Sequence, residues 1–395
     1  MTALGVDLGT TNTKVVLGPV VLSEPTPRSG AGLVGVVSGL VRSAIDAAAT
    51  VPEAVGIASQ AESLFALDGS GRDLAGMLSW ADVRSDAAVT EFAEQVGGDA
   101  LFAATGVRPG PKPWLAVWLG LRREGSPLRA PGVRWAGVAD LVHLSLTGVL
   151  RTDHTLAGRT MAYRLPAPGA ALGRGFDEDL LAEAGLVADQ VPVVGLPGDA
   201  LSVVTPEAAR ATGLRAGTPV LVAGHDHQVA AWAAGVRRVS AVADSVGTAE
   251  ALLTLTSGVT DRSPVGRAGM SLVRAIDGST EAVLAGSPSS GAFLQWLADR
   301  ETGGDVGALL ELGGSEPGAA GTLPHPAPPD LAGPAFWLPY PRGRQCPAPD
   351  PDAGARLVGE STAPPGLLAL EAVSYQAQWI AAVQAGFAGG APAEV

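Results

Sequence analysis

The chain has 395 residues and a net charge of −13. That length asks for two hydrophobic cores, and that charge excludes nucleic acid and anionic membrane surfaces as partners, since both reward Lys and Arg. One cysteine, Cys346, excludes an intrachain disulfide and fits a reducing compartment.

Hydrophobic residues make up 47%, enough for both cores. Gly and Pro break the apolar runs, so none is expected to reach the length of a membrane span. Met1 leads directly into a strand-like run, with no basic segment before a long apolar stretch, so no secretory signal is expected. These features point to a soluble, cytoplasmic protein. Basic residues are almost all Arg, with lysine only at Lys14 and Lys112.

Residues 3–7 read as a buried strand, Gly9–Thr13 as a turn, and Lys14–Leu17 as the returning strand. Leu33, Val36, Val37, Leu40, Val41 and Ile45 carry helical spacing over 31–49. Ala54–Ser59 is a strand; Trp114–Leu121 and Val138–Leu146 are helices. Pro219–Ala223 is a continuous apolar strand ending at Gly224, followed by a helix over Gln228–Ala234 that Gly235 closes. Further strands are expected at Ser240–Asp244, Ala249–Leu255, Leu272–Ile276 and Ala282–Ala285, with a helix at Ser289–Leu297. Residues 324–351 are Pro-rich and read as an extended surface segment. Leu367–Phe387 is the last helix, and Ala393-Glu394-Val395 resembles the opening of a strand. Strands alternate with helices in both halves, which gives an α/β class.

Four segments carry chemistry. In Asp7-Leu8-Gly9-Thr10-Thr11-Asn12-Thr13-Lys14, Gly9 permits close backbone approach, and N–H and Thr hydroxyl groups can ring phosphate oxygens. Asp7 could hold a hydrated Mg²⁺. An ordinary Gly-Thr hairpin turn explains the same residues, and the Gly-Lys-Ser/Thr of a Walker loop is missing. In Gly224-His225-Asp226-His227-Gln228, Asp226 stands at the end of a buried strand, where a carboxylate can act as base toward a hydroxyl. It could equally cap the following helix, or His225 and His227 could form a metal pair. Asp244-Ser245-Val246-Gly247-Thr248-Ala249-Glu250 repeats the strand, Gly-Thr turn, strand pattern. Last come Gln60 and Glu62, an Asp-Gly turn at Asp68-Gly69, and Trp80-Ala81-Asp82-Val83-Arg84. Glu62 can accept from vicinal hydroxyls and Trp80 can pack on the C–H side of a polyol. Asp82 and Arg84 read better as a structural contact.

In that order these segments resemble the FGGY carbohydrate kinases. Asp7 to Lys14 looks like the family's first phosphate motif and Gly247-Thr248 like its second; Asp226 sits where the family carries its catalytic Asp. Trp80 to Arg84 is similar to its Trp-x-Asp-x-Arg segment, and Lys112 before Trp114 and Trp118 to its Lys-containing helix start. Phe336 to Tyr340, then Gly343-Arg344, Pro347 and Asp350, resemble the stretch ahead of its last helices.

The resemblance implies an actin-like, ribonuclease-H-like ATPase fold in two lobes, 1–233 and 234–395, with a cleft between them. It implies ATP and Mg²⁺ as cofactors and a sugar or polyol as substrate. Asp226 would be the general base, Asp7 and Asp226 the metal carboxylates, and Asp7, Gly9, Thr10, Thr11, Asn12, Lys14, Gly247 and Thr248 the phosphate site. Gln60, Glu62, Trp80, Lys112, His225 and His227 would face the acceptor. A homodimer is compatible with the family. Gln60-Ala61-Glu62-Ser63 departs from the Gln-Met-His-Gly of xylulokinases and the Gln-Arg-Glu-Thr of glycerol kinases, so another ketose or polyol is expected. Gln345 follows Gly343-Arg344, where members often show Gly-Glu-Arg. The chain ends before the Gly-Gly-rich adenosine motif, and a catalytically silent sugar binder is the alternative this suggests. A metal-dependent hydrolase using His225 and His227 is a third.

Overall fold

The computed structural model describes residues 2–80, 84–311 and 335–389. The chain forms two compact units: residues 1–236 with 257–266 and 271–282, and residues 237–256 with 267–270 and 283–395. A single break at 233/234 therefore misses two returns of the chain into the first unit.

The first unit is built on a six-stranded sheet. Strands β1 (Ala3–Leu8), β2 (Asn12–Leu17) and β3 (Val20–Pro25) form an antiparallel meander. β4 (Ala54–Ser59) and strand Pro219–His225 then continue the sheet in parallel to β1, and Ser202–Val203 closes the edge. Three antiparallel strands followed by parallel ones is the ribonuclease-H-like order the sequence implied. Alternate residues of β1 (Leu4, Val6, Leu8) turn into the core, as the two-residue period of a strand requires. They meet Leu33, Val37, Val41 and Ala44 of helix α1 (Gly30–Ala48), whose Ser29 cap accepts the Gly32 N–H at 3.2 Å. A second core gathers Trp114, Trp118, Trp135 and Phe176.

α1 corrects one expectation: by length and composition it is apolar enough to cross a membrane. Its Leu33, Val37, Leu40, Val41, Ala44 and Ile45 are instead covered by the sheet. Burial of each such side chain stabilises by about 1.5–3 kcal/mol, so the hydrophobicity is explained by packing.

The second unit pairs strand Val242–Val246 antiparallel with Glu250–Thr256. Helix Pro365–Ala388 lies on the latter. Its buried Gln384 accepts from the Thr254 hydroxyl and donates to the Leu252 and Val283 carbonyls, at 2.8, 3.0 and 3.1 Å. Helix Gly291–Glu301 adds Phe293 and Leu297 to a small core. Of the Pro-rich segment, residues 324–334 lie outside the described residues, as do 393–395. The described remainder holds strand Phe336–Leu338 and a bridge between Arg344 and Asp350.

Candidate active site

β1 ends at Leu8, and the chain turns over Gly9 into β2. Gly9 donates its N–H to the Asn12 carbonyl at 3.0 Å; a Cβ on Gly9 would sit 3.0 Å from that oxygen, so glycine suits the bend. Thr10, Thr11 and Asn12 are exposed at its tip. The β1–β2 register sets Asp7 opposite Lys14, with Lys14 Nζ 3.7 Å from Asp7 Oδ2 and both side chains nearly half exposed.

The Thr10 hydroxyl is already engaged. It donates to Gln60 Oε1 at 3.0 Å and accepts from Trp80 Nε1 at 3.2 Å. Lys112 Nζ lies 5.0 Å from the centroid of the Trp80 ring, a cation–π distance. Gln60 holds its place through its backbone N–H to the Leu8 carbonyl at 3.0 Å. The first bend and three of the expected acceptor residues are thus one connected group within the first unit. Asp82 of the Trp-x-Asp-x-Arg segment lies outside the described residues.

Glu62 has a positive φ of 71° and is held there by Arg159, whose Nη2 donates to Glu62 Oε1 at 2.6 Å. Sequence reasoning missed Arg159, which lies 97 residues away. The two side chains are 15% and 13% exposed. Removing one partner from a buried pair strands the other charge. Arg159→Leu is therefore expected to cost about 3 kcal/mol in urea unfolding, with partial recovery in Arg159→Lys. Unchanged unfolding in Arg159→Leu would show that the pair adds nothing.

Strand Pro219–His225 reaches the same end of the sheet. Its pairing with β4 slips between Val222 and Gly224, a bulge that re-aims the residues beyond it. Gly224 takes φ +128°, and a Cβ there would lie 2.5 Å from Thr155 Oγ1 and 2.9 Å from Asp153 Oδ1. Helix Asp226–Ala233 follows. The helix expected from Gln228 thus begins two residues earlier, and Asp226 occupies its first turn. His225 precedes the helix without a side-chain capping bond; the Asp226 carboxylate accepts the adjacent His227 N–H, at 2.8 Å.

Burial raises the Asp226 carboxyl above the ordinary range. His227 draws it back, while the Asp7 and Glu62 carboxylates push it further up. Asp226 thus feels the charge of both. His225 Nε2 stands 3.2 Å from Asp226 Oδ1, and burial holds that imidazole neutral, with its pKa well below 6.5. His225, Asp226 and His227 offer ligand atoms within 4.8 Å of one another.

The pKa direction sets a pH dependence. A base works deprotonated, so turnover is expected above the Asp226 pKa and lost as pH falls through it. That acid limb is expected above the ordinary value of 3.8. A kcat profile flat down to pH 4 would contradict the raised pKa.

In the second unit, Gly247 and Thr248 join two strands in a bend closed by the Gly247 N–H to the Ala249 carbonyl at 3.0 Å. The Gly247 and Thr248 carbonyls accept from Gly291 and Ala292, the first turn of helix Gly291–Glu301, at 2.9 and 2.8 Å. Glu250 just beyond is buried, its carboxyl pushed up to about 7 by burial and by Asp244.

Residues 35–233, half of the chain, match the model of the FGGY family of carbohydrate kinases, N-terminal domain. The chain belongs to the FGGY family of carbohydrate kinases. Among curated relatives of this FGGY kinase, the gluconokinase of Bacillus subtilis is 22% identical over 371 residues, 86% of this chain and 70% of that protein. The L-fuculokinase of Salmonella typhi is 28% identical over 232 residues, 59% of this chain and 46% of that protein. Xylulose kinase from Rhodospirillum rubrum superposes with a TM-score of 0.83 at 23% identity, over 99% of this chain and 80% of that one. That likeness establishes the fold, the α/β actin-like ATPase class.

Proposed function

We propose that this FGGY kinase transfers the γ-phosphoryl group of ATP to a hydroxyl of a sugar or polyol, with Asp226 as general base. The observation that carries the reading is the placement of Asp226: a bulge and a glycine aim one carboxylate of raised pKa at the sheet end where Asp7 and Glu62 also gather. The relatives bear the names gluconokinase and L-fuculokinase. All of these acceptors are polyhydroxylated, as the hydrogen-bonding group around Gln60 and Glu62 requires.

Asp226 would take the proton of the acceptor hydroxyl as its oxygen attacks the γ-phosphorus in line. Gln60 and Glu62 would orient the acceptor hydroxyls, with Trp80 and Lys112 at the flank. The exposed Thr11 and Asn12 of the first bend would hold phosphate oxygens, with Lys14 supplying charge; Gly247 and Thr248 form a second candidate phosphate bend within the second unit. The Asp7 charge raises the proton affinity of Asp226. That donor set fits a hydrated Mg²⁺, which would offset phosphate charge. The engaged Thr10 hydroxyl is better suited to fixing Gln60 and Trp80 than to binding nucleotide.

A panel of ketoses, alditols and aldonates, assayed for acceptor-dependent ADP release from ATP, tests the proposal. One or more acceptors should raise ADP release well above the acceptor-free rate. No stimulation by any polyhydroxylated acceptor would overturn it.

A further inference from the structure

Beneath the 224–226 turn lies a buried polar chain that the proposed chemistry does not use. Asp153, His154 and Thr155 are each under one-tenth exposed. Asp153 Oδ1 accepts from the Thr155 N–H at 2.7 Å and from the Thr155 hydroxyl. That hydroxyl in turn accepts the His225 N–H at 2.8 Å, one residue before Asp226. The other Asp153 oxygen lies 2.9 Å from His154 Nδ1, and His154 Nε2 lies 2.9 Å from the Ala275 carbonyl. A carbonyl can only accept, and an ionised Asp153 carboxylate can only accept as well. Both ring nitrogens of His154 must therefore donate.

We propose that Asp153, His154 and Thr155 are positioning residues that fix the backbone of the catalytic turn, and that His154 serves as a buried, doubly protonated imidazolium. The inference rests on Asp226 being the base. The charged groups facing the ring are Asp153 beside it and Asp277 from the 271–282 segment, both anions. Burial alone would discharge the ring; the Asp153 charge and the hydrogen bonds to Asp153 and Ala275 outweigh it and leave the pKa raised. The chain also explains Gly224, since a side chain there would occupy the space of the Thr155 hydroxyl.

Two measurements on the full chain test the proposal. In ¹⁵N-histidine NMR, the His154 resonances, assigned by loss in His154→Gln, should show both ring nitrogens protonated at pH 7. A single neutral tautomer would overturn the imidazolium whatever the turnover. In kinetics, Thr155→Val keeps the shape but loses the hydroxyl. It should lower kcat roughly 10- to 100-fold, the scale of a slightly misplaced catalytic group, with KM changed less than about threefold. Thr155→Ser should recover most of that loss. Wild-type kcat in Thr155→Val would overturn the positioning role. Retained transfer in Asp226→Asn would instead remove the base on which the inference stands.

Discussion

Asp226→Asn is expected to lower kcat by about 10²- to 10⁴-fold, the contribution of a positioned general base, while acceptor affinity in calorimetry stays near that of the wild type. The amide keeps the shape of the side chain and can still accept the His227 N–H, but it cannot take a proton. Stability separates this outcome from simple damage. Because the folded-state pKa of Asp226 is raised, the folded protein holds this proton more tightly than the unfolded chain. Stability therefore falls as pH rises through that window, and at neutral pH the charged carboxylate is a cost. Asn removes the charge, so the variant should melt at the same temperature as the wild type or higher. A large loss of stability together with the loss of turnover would make Asp226 structural.

Gly224→Ala should be among the more damaging single methyl groups in the first unit. A left-handed backbone at φ +128° costs a non-glycine residue about 1–3 kcal/mol. The new Cβ also meets Thr155 Oγ1 at 2.5 Å, Asp153 Oδ1 at 2.9 Å and Ile276 Cδ1 at 3.2 Å, overpacking worth about 1–3 kcal/mol more. A total loss of roughly 2–6 kcal/mol is expected from urea unfolding, with kcat reduced as the turn moves. Gly35→Ala is the control: nothing lies within 4 Å of its Cβ position in α1. There the change should be neutral or stabilising by up to about 1 kcal/mol. Equal effects at the two positions would mean that the bulge is not strained.

Much of this site announces itself in local pattern. Gly9 and Gly224 mark bends at strand ends, and Asp7 and Asp226 stand at the ends of apolar runs that read as strands. What stays hidden is what depends on approach between distant segments. Arg159 reaches Glu62 across 97 residues, and the Thr155 hydroxyl meets the His225 N–H across 70. The triplet Asp153-His154-Thr155 did carry one local signal, an Asp capping a short helix, but nothing in it names the turn that it supports. The bulge was equally silent, because the continuous apolar run Pro219–Ala223 shows no alternation in sequence for an extra residue to disturb. α1 misled for the opposite reason: its composition is apolar enough for a membrane span, and only the fold shows that one face, with Leu33, Val37, Val41 and Ala44, packs on the sheet.

The most direct test of the central claim is ³¹P NMR of the wild-type protein with ATP, Mg²⁺ and the best acceptor of the panel. A sugar or polyol phosphomonoester should appear in step with ADP, and neither should form at comparable rate with Asp226→Asn. Release of inorganic phosphate alone, or ester formation undiminished in the variant, would contradict the account.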